Sequence, residues 1–252
     1  MSMCKTPAEL EKMRRSGLAV QRVLRQVAAG AVPGATTWDL ETLADAAIRG
    51  EGAQSAFRGY RGYPCVLCAS VNDEIVHGIP SRKKLLREGD VVSLDCGVLL
   101  DGYYGDSALT VPVGDPARVP GPVRRLLAAT QAALDAGIAS ARVGNYLGDI
   151  SFAVQKKAEE EGFSVVREFV GHGIGTHLHE EPQVPNYGQP GAGRRLREGM
   201  VLCIEPMVNQ GSPQVRLLED GWTAVTSDGA CSAHFEHTVA ITRDGPWVLT
   251  RA

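Results

Sequence analysis

The sequence predicts an α/β (α+β) fold in which helices cover a curved, mostly antiparallel sheet and two related halves meet at a pseudo-twofold. Three observations predict it. Helical periodicity comes in two pairs, extended apolar segments follow each pair, and the second set repeats the first at a fixed spacing.

The first helix is expected over residues 8–30 (AELEKMRRSGLAVQRVLRQVAAG). The second, over 37–50 (TWDLETLADAAIRG), opens on a Thr/Asp cap signal. The pattern returns at Val123–Ala141 and Leu147–Glu161. Asp39 falls on Asp149, Glu51-Gly52 on Glu161-Gly162, and Leu86–Gly89 on Leu196–Gly199, each pair 110 residues apart. LREGDVVSLDCG therefore aligns with LREGMVLCIEPM, pairing Val91 with Val201, Leu94 with Ile204 and Asp95 with Glu205. Each half reads roughly as ααβββ, with pseudo-repeats at about 6–110 and 120–252 inside a single domain, 1–252. Asp95 and Glu205 then end equivalent apolar strands and converge on the axis, which points to a central acidic site.

The bulk numbers bound the function. With 252 residues, 44% apolar and 22% charged, the chain can bury a sizeable core. A net charge of −3 excludes a DNA binder whose affinity rests on overall basicity. The basic runs Arg82-Lys83-Lys84 and Arg194-Arg195 read as solvated loop faces. No apolar run approaches the ~20 residues of a membrane span, and the start, MSMCKTPAELEKMRRSG, has no signal-peptide core. A cytoplasmic location follows as the expectation. The six cysteines lack a disulfide framework, and the pair in Cys65-Val66-Leu67-Cys68 has no second ligand pair for zinc. Pro64 before it and the apolar run after it suggest a strand, not the helix of a redox motif. These are expected to be reduced thiols, one of them lining a pocket.

After Asp95, the segment CGVLLDGYYGDSALTVPVG is punctuated by Gly97, Asp101-Gly102 and Gly105 and reads as a hairpin. Its return strand can bring Asp106 beside Asp95. Glu236 lies within the apolar strand SAHFEHTVAIT, flanked by His234 and His237. Carboxylates that close repel one another, and burial raises the cost unless a cation neutralises them. No basic residue occurs inside these strand segments. His172, bracketed by two glycines in GHGIGTHLHEEPQ, is the natural nitrogen ligand. Oxygen-rich coordination with one imidazole suits Mn, Fe(II) or Co better than a thiolate-rich zinc site. Two ions would offset four negative charges with four positive ones and supply hydrolytic chemistry.

The segments SVNDEIVHGIP, VSLDCGVLLDGYYGDSALT, GHGIGTHLHEEPQVPNYG, EGMVLCIEPM and FEHTVAIT, in this order, closely resemble the type I methionine aminopeptidases in their short bacterial-type form. The resemblance runs from about residue 6 to the C-terminus and implies the duplicated "pita-bread" fold. It also implies the reaction: removal of the initiator methionine from nascent polypeptides whose second residue is small.

Carried over by position, the resemblance makes Asp95, Asp106, His172, Glu205 and Glu236 the ligands of two divalent ions, Co, Mn, Fe(II) or Zn. Asp106 and Glu236 bridge, Asp95 chelates one ion, and His172 with Glu205 serves the other. His179 polarises the scissile carbonyl, His77 stands near the nitrogen on the leaving side, and Glu205 shuttles a proton. The methionine pocket corresponds to Tyr60, Tyr63, Cys68, Leu178 and Trp222, with Phe57 beside them. Phe57 stands where many bacterial members have Cys, and Leu178 where they often have Phe, so pocket volume is expected to be roughly kept.

Glu180 and Glu181 are expected to fix the loop, and His177 to sit at the rim or touch the residue after methionine. A monomer is the family expectation, and the basic loops 82–87 and 194–197 are candidates for a ribosome contact near the exit tunnel. Prolidase-like activity and a purely binding role are the rival readings. The first goes with an additional N-terminal domain, the second with lost ligands.

Overall fold

The computed structural model describes residues 3–252. Four helices form where periodicity places them: α1 Pro7–Ala29, α2 Thr37–Gly50, α3 Gly121–Ser140 and α4 Leu147–Glu160. Their starts are chemically fixed. Thr6 and Glu9 close a capping box on α1, with the Thr6 amide donating to Glu9 at 2.7 Å, and Thr36 and Asp39 do the same on α2. On α4 the Tyr146 amide donates to Asp149 at 2.7 Å, so the aligned Asp39 and Asp149 do equivalent work.

The main sheet has nine strands. In chain order they are β1 Gln54–Ser55, β2 Cys68–Val71, β3 Val91–Leu100, β4 Tyr103–Pro112, β5 Gly171–Gly173, β6 Glu180–Val184, β7 Val201–Ile204, β8 Glu236–Thr242 and β9 Gly245–Val248. The path runs β1-β3-β4-β8-β7-β5-β6, with β2 also on β3 and β9 on β8, and every pairing is antiparallel. Two three-stranded sheets flank it: 232–234, 207–209 and 164–165, and 215–217, 224–226 and 74–76. Each half is thus richer in strands than ααβββ.

The duplication is visible in the backbone. The Gly34 amide donates to the Leu86 carbonyl and Leu86 to Ala35, while Gly144 donates to Leu196 and Leu196 to Asn145. Isolated bridges join Thr36 to Leu85 and Tyr146 to Arg195. Each pair is shifted by the spacing found in the sequence. The apolar interior is likewise doubled: α1 and α2 pack Val20, Leu24 and Leu40 over Val92 and Leu94, while α3 and α4 pack Leu126, Leu134 and Ile150 over Leu202 and Ile204. The two halves meet where β4 pairs β8, with Glu236 opposite Ala108.

One local expectation changes. Asp95 lies in mid-strand rather than at a strand end, because β3 continues past Gly97 to Leu100. The turn is at Asp101-Gly102, with φ of 51° and 79°, the left-handed pair that suits a two-residue hairpin. Gly97 is required for another reason: a Cβ there would stand 2.7 Å from the Phe57 ring.

Candidate metal centre and its cleft

Strand register brings the acidic residues together. Gly97 pairs with Asp106 and Asp95 with Ala108 across β3–β4, so Asp95 and Asp106, two pairs apart, face the same way. Ala108 also pairs with Glu236, leaving only a methyl between Asp95 and Glu236. Glu205 lies one step beyond the His237–Ile204 pair, opposite Glu236. His172 pairs with Cys203 on β7. The glycines around His172 are there for space: a Cβ on Gly171 would lie 2.3 Å from the Cys203 carbonyl oxygen, and on Gly173 2.3 Å from that of Glu181.

The donor set fits divalent ions on three grounds. First, six buried side-chain polar atoms among the described residues have no hydrogen-bond partner, and four of them are here: Asp95 Oδ1, Asp106 Oδ1, Glu236 Oε1 and His234 Nε2. Such atoms are costly unless something outside the chain satisfies them. Second, His172 Nδ1 donates to the Gly173 carbonyl at 2.9 Å, which leaves Nε2 as an unprotonated lone pair. That nitrogen lies 3.5 Å from Glu205 Oε1 and 3.9 Å from Asp106 Oδ2. A lone pair facing two carboxylate oxygens is repulsive until a cation sits between them. Third, ligand atoms of Asp106, His172, Cys203 and Glu236 all lie within 4.8 Å of one another.

The electrostatics agree. Burial pushes Asp95 up to about 6. Burial, then the charges of Glu236, Asp95 and Glu205, hold Asp106 well above the usual carboxylate range. Burial does the same to Glu205 and Glu236, with neighbouring carboxylates adding to it. Burial drives His172 down to about 3 and His77 to about 4, keeping both neutral. Four buried acids held above the usual carboxylate range beside a neutral imidazole make a site suited to positive charge.

One cavity of about 200 Å³ opens on this cluster. It is lined by each residue expected as a ligand, catalytic group or pocket wall: the five acidic and imidazole groups, His77 and His179, and Phe57, Tyr60, Tyr63, Cys68, Leu178 and Trp222. Tyr60 and His179 stack, and the Tyr60 hydroxyl meets His179 Nδ1 at 2.8 Å. Tyr63 meets Trp222 edge-on, with centroids 5.1 Å apart. Phe57 and Leu178 are both buried.

The rest of the loop sorts as expected in part. Glu180 accepts from Lys5 Nζ at 2.7 Å and from the His177 amide at 3.1 Å, so it does fix the loop. His177 is exposed and does not line the cavity. Among the described residues, no hydrogen bond or ion pair is seen from the Glu181 side chain. The Cys65–Cys68 segment enters β2 at Cys68, and Cys68 lines the cavity.

Sequence reasoning gave no site role to several lining residues, among them Arg61, Phe169, Met207 and His234. His234 is buried with Nε2 3.7 Å from Glu205 Oε2. The available signal was its position two residues before Glu236 in an extended apolar segment, which puts both on one face.

Residues 11–243 match the model of metallopeptidase family M24, and the chain belongs to that family of metal-dependent hydrolases. Over 251 residues, covering 100% of both chains, it is 48% identical to methionine aminopeptidase 1 of Bacillus subtilis. It superposes on the crystal structure of methionine aminopeptidase from Thermotoga maritima with a TM-score of 0.96 at 47% identity, covering 99% of each chain. It shares the fold of the prolidase from Pyrococcus furiosus (TM-score 0.80, 21% identity), covering 99% of this chain and 66% of that one. Both the family and the duplicated fold implied by the sequence motifs are borne out.

Proposed function

We propose that this chain, one catalytic domain, removes the N-terminal methionine from nascent polypeptides whose second residue is small. The observation that carries the reading is the junction of two surfaces in one cavity. An apolar pocket of Phe57, Tyr60, Tyr63, Cys68, Leu178 and Trp222 opens directly onto the unpartnered carboxylates. The near-complete coverage of methionine aminopeptidases at up to 48% identity supports it. An aromatic pocket with a thiol suits a thioether side chain.

In this reading Asp95, Asp106, His172, Glu205 and Glu236 hold two divalent ions. When bound, such ions supply Lewis acidity, lowering the pKa of water and offsetting charge that develops on the carbonyl oxygen. The protein's own groups do the rest. With the Tyr60 hydroxyl donating to Nδ1, His179 keeps its proton on Nε2 and donates it to the scissile carbonyl oxygen. Neutral His77, wedged edge-on against Phe169 and Trp222, stands on the leaving side. The Glu205 carboxyl passes a proton to the departing amine. The aromatic walls exclude water and orient the methionine side chain.

The finer assignments follow from the same reading: a cytoplasmic monomer working on chains near the ribosomal exit tunnel. Arg82, Lys83 and Arg87 are exposed, as are Arg194, Arg195 and Arg197 at the pseudo-equivalent loop, and these would make the ribosome contact. No described helix is long and apolar enough to cross a membrane.

The test is cleavage of Met-Ala-Ser and Met-Lys-Ser by metal-stripped protein, before and after adding Co(II) or Mn(II). Metal-dependent release of methionine from the first peptide alone is expected. No release with any ion from folded protein would remove the proposal.

A further inference from the structure

The segment from Phe57 to Cys68 supplies Phe57, Tyr60, Tyr63 and Cys68 to the apolar pocket, yet it has almost no regular structure to hold it. Beyond one 3₁₀ turn at Tyr60–Gly62 it is irregular, with left-handed backbone at Gly59, Arg61 and Gly62. Backbone bonds such as the Gly59 amide to the Tyr63 carbonyl at 2.8 Å close the turn through Tyr63, and the stretch beyond it needs another anchor. Glu41, on α2 and only 3% exposed, provides it with one carboxylate. Its Oε1 accepts from the Val66 amide at 3.0 Å, and its Oε2 accepts from the Leu67 amide at 3.0 Å. At the other end of the segment the Arg58 guanidinium donates to Oε1 at 3.0 Å.

A buried amide left without an acceptor is costly, and Val66 and Leu67 are fully buried. Their amides therefore hold to Glu41, which explains the two residues between Cys65 and Cys68 in a motif that is neither a zinc nor a redox site. The Leu67 carbonyl in turn accepts from the Tyr63 hydroxyl at 3.0 Å, and the Tyr63 ring meets Trp222 across the pocket. A continuous path of bonds and packing thus runs from Glu41 through the Leu67 peptide and Tyr63 to Trp222. Glu41 does not line the cavity.

We propose that Glu41 is a positioning residue that sets the shape of the side-chain pocket, and through it the preference for methionine's unbranched side chain over a branched one. This rests on the methionine-release reading above. A carboxylate that merely supports the fold would, when altered, lower activity on every substrate alike. A pocket-shaping carboxylate would change the ratio between substrates.

The test compares kcat/KM on Met-Ala-Ser and Leu-Ala-Ser for the metal-loaded wild type and Glu41→Gln. The variant places an amide NH2 against backbone donors and loses one of the two carboxylate charges, Glu41 and Asp45, that hold Arg58. The Met/Leu ratio is expected to fall by about tenfold, the scale of one misplaced apolar contact, through a raised KM for the methionine peptide. Bound-metal content should be unchanged.

Arg58→Gln, which keeps both amide bonds, should shift the ratio the same way but less, and it decides the matter if Glu41→Gln does not fold. An unchanged ratio, or an equal loss on both peptides, overturns the proposal. If the wild type releases no methionine from Met-Ala-Ser, the functional reading fails instead. Calorimetric binding of free L-methionine and L-leucine then decides: a preference present in wild type and lost in Glu41→Gln supports the role of Glu41, and any other pattern overturns it.

Discussion

Lys5 Nζ lies 2.7 Å from Glu180 Oε2, joining residues 175 positions apart in a pair that is nearly closed to solvent on the lysine side. Glu180 directly follows His179 and also accepts from the His177 amide, so the pair fastens one wall of the cleft to the chain just before α1. Lys5→Met strands a partly buried carboxylate. It should cost about 2 kcal/mol, below the ~3–5 kcal/mol of a fully buried pair because Glu180 keeps some solvent contact. Differential scanning calorimetry should show Tm lower by roughly 4–8 °C. A shift under about one degree would mean that the pair is dispensable.

Stripped of divalent ions, the protein is expected to lose stability as pH rises above 6.5. Asp106, Glu205 and Glu236 have carboxyls held high by burial, so the native state binds more protons than the unfolded chain. That contribution is present at low pH and is lost as pH climbs through their folded pKa values. His172 and His77, lowered by burial to about 3 and about 4 from 6.5, act in the opposite sense and weaken the protein as pH falls. The two effects oppose each other below 6.5, and only the carboxyls act above it. Their slope is at most ~1.4 kcal/mol per pH unit for each group. In EDTA, Tm should therefore fall as pH rises above 6.5, and saturating Mn(II) should abolish the fall. A flat profile in EDTA would contradict the crowded-carboxylate picture.

His179→Ala should lower kcat by ~10²–10³-fold, the loss seen when one oxyanion donor is removed. The residue is exposed at the mouth of the cleft, so Tm and metal content should hold. Loss of bound metal in this variant would instead make His179 a ligand.

His172→Ala removes the one nitrogen whose lone pair faces Glu205 and Asp106. Titration calorimetry with Mn(II) should lose one binding event while the ion beside Asp95 is retained. Unaltered stoichiometry would remove His172 from the ligand set.

How much of this was legible in the sequence depended on whether the cause was local. The helices were, because caps such as Thr36–Asp39 and the spacing of Val20, Leu24 and Val27 act within a turn or two. The acidic cluster was too, because a carboxylate in an apolar strand carries its own anomaly. The pocket wall came only through resemblance: Tyr60 and Tyr63 sit in a segment anchored by Glu41, well upstream in the chain. Asp95 looked like a strand end because Gly97 resembles a turn residue, whereas that glycine is small to admit Phe57. Glu180 is legible as a residue that fixes its loop, but nothing local marks Lys5, 175 positions away, as its partner.

The pseudo-twofold has a consequence for how the two halves hold together. Asp95 and Asp106 come from the first half, and His172, Glu205 and Glu236 from the second. Any ion seated among them is a rivet through the seam where β4 pairs β8. Its binding free energy is then also adhesion between the halves, so the hydrolytic centre exists only while they are docked. A change that loosens the seam far from the cleft would be read out first as weaker metal retention.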